Sequence, residues 1–333
     1  KVEVLPLAGT ARQVRKGSVR PGALPLAAVA ATVGYTWRLA RRLRRLDVDL
    51  VHTNTLKAAI YGGLAARLAG KPLVWHVRDR IAADYLPGFA VKAVRTAARL
   101  LPHAIITNSE STRETLGIAG LDAMVTPSPV VFDPYAPDPA QLTLGSVFEV
   151  GMVGRIAPWK GQDVFLRAFA AAFPEGEVRA RIIGAPLFGE TDYEADLRRL
   201  AADLGIADRV WFTGQTDDVA SHLAQLSVLV HASITPEPFG QVVVEGLAAG
   251  LAVVASAAGG PAEIITDGVD GLLLPPGDVA ALASALRRLH DDPGLRERLG
   301  VAGARRAEAF RPERIGPQVL SLYRSLLQER GRS

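Results

Sequence analysis

The chain has 333 residues, 49% hydrophobic and 22% charged, with 38 Lys and Arg against 34 Asp and Glu for a formal charge of +4. This is the balance of a globular protein rather than a disordered one, at a length that accommodates two domains. There is no cysteine, which excludes disulfides, a thiolate nucleophile and thiolate-bound zinc and fits a reducing, cytoplasmic compartment; no apolar run approaches the roughly 18–20 residues that span a bilayer.

In chain order, Lys1 stands where a methionine would be expected, and Val2-Glu3-Val4-Leu5 reads as a strand, so an earlier natural start is expected. Residues 23–36 are apolar but too short to span a membrane and lack signal-peptide flanks. In residues 37–46, Arg38, Arg41, Arg42, Arg44 and Arg45 share one arc, with Leu39, Leu43 and Leu46 on the other. Such a stretch suits either an anionic membrane surface or an ordinary outer helix. Asp47-Val48-Asp49 looks like a metal-binding Asp-x-Asp but precedes a strand, where a surface turn is the simpler reading. Strands are then predicted at 50–52, 73–77 and 104–107, with helices at 58–69 and 89–101.

Five prolines fall between 125 and 145, and a linker is predicted at 133–143. Beyond it, strands are expected at 149–153, 180–183, 210–212, 228–231, 252–255 and 272–274. Helices are expected at 162–173, 193–204, 219–226, 241–249 and 279–290. Strand–helix alternation of this kind predicts doubly wound α/β sheets. Two Rossmann-like domains, 1–143 and 144–313, would face each other across a cleft, with ligands beyond the carboxyl ends of the strands.

Charge is unevenly divided: residues 1–143 carry 19 Lys and Arg against 10 Asp and Glu, a net of +9, and the remainder 19 against 24, a net of −5. The first part is therefore expected to meet something anionic. No zinc-finger spacing, aromatic RNA-binding signature or helix-turn-helix supports nucleic acid. An anionic membrane surface or a phosphorylated acceptor fits instead.

Three segments carry the chemistry. In Gly151-Met152-Val153-Gly154-Arg155-Ile156-Ala157-Pro158-Trp159-Lys160-Gly161, a strand ends, a loop bears two cations, and a helix begins. Free N–H groups at the helix start, together with Arg155 and Lys160, suit a diphosphate; a plain strand-to-helix turn is the alternative. Pro236-Glu237-Pro238-Phe239-Gly240-Gln241-Val242-Val243-Val244-Glu245 leads into the next helix. Glu245 lies among apolar neighbours and must find donors, either ribose hydroxyls or a buried arginine. Ala258-Gly259-Gly260-Pro261-Ala262-Glu263 again sets glycines before a helix, with Pro261 in its first turn. Asp278 reads as a helix cap.

Taken in this order and spacing, the three segments resemble the retaining glycosyltransferases of family 4, which have the GT-B architecture. The resemblance covers most of the chain and is strongest over 148–278. It extends to Phe310-Arg311-Pro312-Glu313 and a closing helix, 314–333, that in the family returns to the first domain. What it implies is a metal-independent transferase with a nucleotide-diphosphate sugar, UDP- or GDP-linked, as co-substrate and no cofactor. Arg155 and Lys160 would bind the diphosphate, Glu237 would approach the transferred sugar, and Glu245 would hold the ribose. Gly154, Pro238, Phe239, Gly240, Gln241, Gly259 and Gly260 would complete the donor site, with Gly214, Gln215 and Thr216 at the base. Such a transfer needs leaving-group stabilisation more than a strong base.

The first domain departs from the family. Arg78, followed by Asp79, stands where relatives commonly place a histidine near the reacting sugar, and both are expected to line the cleft. His76 is expected to lie inside the strand. The family's first strand and glycine-rich loop have no counterpart, and of its Asn-Gly-x-Asp turn only Asp133 remains. The acceptor, anionic or lipid-linked, would be held by the basic first domain, with a peripheral contact on the inner face of the membrane. The alternatives are a non-catalytic nucleotide-sugar binder and a sugar-nucleotide epimerase on the same architecture.

Overall fold

The computed structural model describes residues 3–5, 26–118, 120, 122–132, 147–187 and 189–331. The chain forms two compact units, Lys1–Pro127 with Gly316–Ser333, and Ser128–Ile315.

The first unit holds helix α1 (Leu26–Leu46), strand β1 (Val51–Thr53), α2 (Leu56–Ala69), β2 (Leu73–Val77), α3 (Gly88–Leu100), β3 (Ala104–Thr107), α4 (Glu110–Leu116) and β4 (Ala123–Val125). The four strands pair in parallel in the order β1-β2-β3-β4. Every residue of β2 is buried, as in a parallel sheet covered on both faces. Trp75, Ile81, Leu86, Val94, Ile105 and Leu116 form the core. Thr55 caps α2 by accepting the Ala58 N–H at 3.2 Å, and Gly70 ends it at φ 69°, the left-handed stop that glycine provides without strain.

Of the strand expected at 2–5, residues 3–5 are described and pair with no strand among the described residues; Val4 is exposed, and Glu3 forms an ion pair with Arg42 of α1. The apolar and basic stretches that the sequence suggests separately are one helix, α1.

The second unit holds β5 (Glu149–Val153), α5 (Gln162–Ala172), β6 (Arg179–Ile183), α6 (Thr191–Asp203), β7 (Val210–Phe212), α7 (Val219–Leu223), β8 (Val228–His231), α8 (Gln241–Ala248), β9 (Ala252–Ser256), α9 (Pro261–Ile264), β10 (Leu272–Leu274), α10 (Val279–Asp291) and α11 (Pro293–Ala307). A last helix, α12, covers Pro312–Gly331, and from Gly316 onward it belongs to the first unit. The sheet is all parallel in the order β10-β9-β8-β5-β6-β7. One face packs on Phe165, Phe169, Leu286 and Leu289, and the other on Val243, Val244, Leu247 and Phe310. Asp278 caps α10 by accepting the Ala281 N–H at 2.9 Å.

Successive strands run outward from β5 to β7, then restart on its other side at β8 and run outward to β10. The switch point lies between β5 and β8, where loops leave the carboxyl ends in opposite directions and open a crevice. The linker expected at 133–143 lies outside the described residues. Residues 128–132 belong to the second unit, where the Val130 N–H donates to the Phe310 carbonyl at 2.9 Å.

Candidate functional site

Because β5 and β8 are neighbours, the loops that follow them must meet. After β5, a short 3-10 turn at Pro158–Lys160 precedes α5. Its position is set by Gly161, at φ 76°, where a Cβ would lie 2.1 Å from the Ala232 carbonyl oxygen beyond β8. No other residue allows that approach. Gln162 is buried and ties the turn together, donating to the Arg155 carbonyl at 2.9 Å.

This contact brings Lys160 to Glu237. The Lys160 Nζ lies 2.6 Å from Glu237 Oε1. His231, the last residue of β8, places Nε2 at 2.9 Å from the same oxygen, and the Ser233 hydroxyl donates to it as well. A carboxylate oxygen can only accept, so the His231 tautomer has its proton on Nε2; its Nδ1 is buried and takes no hydrogen bond among the described residues. Burial works to raise the Glu237 pKa, but His231 and Lys160 outweigh it and hold the group well below its ordinary 4.5. All three donors meet Oε1, while Oε2 takes no hydrogen bond among the described residues.

The loop after β9, the other neighbour of β8, closes the wall. Glu237 and Gly259 form an isolated parallel bridge, and the Gly260 N–H donates to the Glu237 carbonyl at 2.9 Å. A Cβ on Gly259 would lie 2.2 Å from that carbonyl oxygen. Gly259 and Gly260 thus serve the site by close packing, the N–H of Gly260 being already committed. Phe239 is buried on Phe310, and Gly240, at φ 95°, starts α8, with Pro238 in the turn before it.

On the β6 side, Gly154, Arg155, Gln215, Thr216 and Val219 line a pocket of about 210 Å³ with Ile183, Gly184, Ala185 and Leu187. Gly214 borders it through a bridge to Gly184. Lys160 reaches over the same wall, its Nζ 3.9 Å from where a Gly154 Cβ would stand. The Arg155 Nε lies 3.3 Å from Glu190. Each cation of the β5 loop is therefore matched by a carboxylate.

Glu245, on the second turn of α8, accepts from the Gln241 amide at 2.8 Å, and among the described residues no cation pairs with it. Burial raises its pKa above the ordinary 4.5, against the Gln241 hydrogen bond. The buried-arginine alternative for this residue is not what the fold provides.

Arg78 and Asp79 belong to the first unit, directly after β2. Arg78 is half-buried, and Asp79 accepts from the Tyr85 hydroxyl at 3.0 Å. His76 lies inside β2, its Nδ1 3.2 Å from His52 Nε2, and the Tyr323 hydroxyl of α12 is 2.5 Å from His52 Nδ1. If Tyr323 donates, His52 carries its proton on Nε2 and passes a hydrogen bond to His76. Burial first, then the Arg78 and His52 charges, depress His76 to about 3. Asp47 sits in a turn beside Lys71, 3.5 Å away.

Sequence reasoning misses His231, Ser233, Glu190 and Gly184. The legible signals are a histidine closing an apolar strand at the switch point and a serine two residues on, six and four positions before Glu237; Glu190 and Gly184 act through the adjacency of β5 and β6, which linear spacing does not carry.

Comparison with known proteins bears on this arrangement. Residues 139–306 match the sequence profile described as Glycosyl transferases group 1, and residues 5–130 that described as Glycosyltransferase Family 4. The chain belongs to this glycosyltransferase family. The D-inositol 3-phosphate glycosyltransferase of Streptomyces avermitilis is 33% identical over 308 residues, covering 84% of this chain and 66% of the relative, just under two thirds. That of Streptomyces scabiei is 33% identical over 312 residues, 85% of this chain and 69% of the relative. Among solved structures, Anabaena Alr3699/HepE in complex with UDP and glucose superposes at a TM-score of 0.81 with 29% identity, covering 88% of this chain and 81% of that one. Sucrose-phosphate synthase from Thermosynechococcus elongatus matches at 0.77 with 24% identity, covering 95% and 83%, which speaks for the fold. The two Rossmann-like units are those of a GT-B glycosyltransferase.

Proposed function

We propose that this chain moves a glycosyl group from a uridine diphosphate sugar to an anionic, phosphorylated or lipid-linked acceptor, with retention of anomeric configuration. The observation that carries the reading is the convergence of Lys160 and Arg155 on one pocket wall beside Glu237. Fixed cations aimed where charge develops stabilise a departing diphosphate without moving during the reaction. In this reading the two lysine and arginine side chains do that work and no metal is needed.

The pocket of about 210 Å³ takes the base against Gln215 and Thr216, Glu245 takes the ribose hydroxyls, and Glu237 Oε2 takes a sugar hydroxyl. The choice of uridine is supported by the UDP and UDP-glucose complexes of the Anabaena protein. A phosphorylated acceptor is supported by the names of the Streptomyces relatives and by the +9 charge of residues 1–143. Arg78 and Asp79 are proposed to act on the acceptor side. The chain's lack of cysteine suits a cytoplasmic enzyme.

The test is a thermal-shift titration with UDP, GDP and their sugars, followed by product analysis. A uridine ligand at about 100 times its Kd should stabilise by roughly 2.7 kcal/mol, and Lys160→Ala and Arg155→Ala should abolish transfer while remaining folded. Stabilisation by none of the nucleotides would remove the donor assignment. Binding with neither transfer nor donor hydrolysis would identify a non-catalytic binder.

A further inference from the structure

Helices α1 and α2 pack against each other in the first unit. Together they carry Arg38, Arg41, Arg42, Arg44, Arg45, Lys57 and Arg67 and not one carboxylate. Arg42 is used internally by Glu3, and Arg44 donates to the Leu68 carbonyl. Arg38, Arg41 and Arg45 are exposed and enter no ion pair among the described residues.

Large apolar side chains lie on the same two helices, facing water. Val33 is 63% exposed and Trp37 55% on α1, while Leu68 is 53% exposed on α2. Val33, Trp37, Arg41 and Arg45 recur every four residues and so form one stripe along α1. The Arg41 guanidinium sits 4.6 Å over the Trp37 ring, so cation and aromatic present one surface. Thr36 and Ala40, in the row beside that stripe, are buried in the protein. An outer helix needs arginines for solubility, but it does not need an exposed tryptophan and valine in line with them.

We infer that this α1–α2 face docks on an anionic phospholipid bilayer, lying in the plane of the headgroups. The chemistry fits that partner at each position. Trp37 and Val33 would enter the boundary between headgroups and acyl chains, where an indole is favoured. Arg38, Arg41 and Arg45 would hold lipid phosphates, their stems lying on the apolar layer. Among the described residues no helix is long and apolar enough to cross a membrane; the contact inferred is one within the headgroup layer. A nucleic acid would use the arginines but would leave Val33 and Leu68 without a role. The inference depends on this surface alone and stands whatever the second unit binds.

Flotation of the full chain with vesicles of phosphatidylglycerol and phosphatidylcholine, against vesicles of phosphatidylcholine alone, tests it. The protein should float with the anionic vesicles only, and Arg38→Gln, Arg41→Gln and Arg45→Gln combined should weaken partitioning by roughly 100-fold, given the contribution of each basic residue near such a surface. A blue shift in tryptophan emission on vesicle binding should vanish in Trp37→Phe. Circular dichroism and melting temperature verify that the variants fold. The inference is overturned if the protein ignores anionic vesicles, if the triple variant floats like the parent, if the blue shift survives in Trp37→Phe, or if duplex DNA displaces the protein from the vesicles.

Discussion

The Lys160–Glu237 pair can be tested quantitatively by a double-mutant cycle. Its atoms are 2.6 Å apart, and the two side chains are 12% and 10% exposed, so little solvent screens them. Removing one member of a buried pair costs about 3–5 kcal/mol. In Lys160→Ala the stranded Glu237 keeps His231 and Ser233 as donors, which places the expected loss near the lower end, about 3 kcal/mol. Glu237→Gln leaves Lys160 able to turn toward water, and a loss of about 1–3 kcal/mol follows. Once both charges are gone neither is stranded, so the double variant should recover about 1–3 kcal/mol relative to the sum of the singles. Urea unfolding of the four proteins at neutral pH supplies the terms. Losses that add to within about 0.5 kcal/mol would show that the pair does not exist in solution. A pH arm sharpens the experiment. The folded carboxyl titrates below its ordinary 4.5, so the unfolded chain takes up that proton more readily. The stabilisation is complete above pH 4.5 and drains as pH falls further, so the gap between the parent and Glu237→Gln should narrow on acidification.

Two further predictions concern the same wall. Glu245→Ala should weaken UDP binding by roughly 10- to 100-fold in isothermal titration calorimetry, the worth of hydrogen bonds to a charged acceptor. Because burial raises the Glu245 pKa, affinity should begin to fall at a higher pH than an ordinary Glu would give; an unchanged affinity would remove its ribose role. His231→Phe removes one donor to Glu237 Oε1 and lies away from the pocket proposed for the base. Transfer should slow while the Kd for UDP holds, and His231→Asn, which retains an N–H, should recover part of the rate. Equal loss in both variants would mean that His231 only fills space.

The alternation of apolar strands and amphipathic helices was readable along the chain because each element's burial pattern repeats locally. For the same reason α8, α10 and β5 to β10 lie near their expected positions. The short α4 and β4 escaped notice, as did α11, whose apolar periodicity is weak. Residues 3–5 read as part of a strand because local pattern cannot report whether a neighbouring strand lies beside them.

The sequence by itself determined which chemistry is present: two cations in a glycine-bounded loop, two glutamates eight positions apart, and glycines ahead of a helix. It did so because residue type and local spacing are linear properties. Only the tertiary structure decided who meets whom. Lys160 reaches Glu237 across 77 positions because β5 and β8 are adjacent in the sheet, and Gly161 can approach Ala232 for the same reason. That adjacency comes from the sheet's winding, in which strands pair by how their buried faces pack and their crossovers turn. Arg155 acquires Glu190, and α1 and α2 their shared basic face, through packing of this kind.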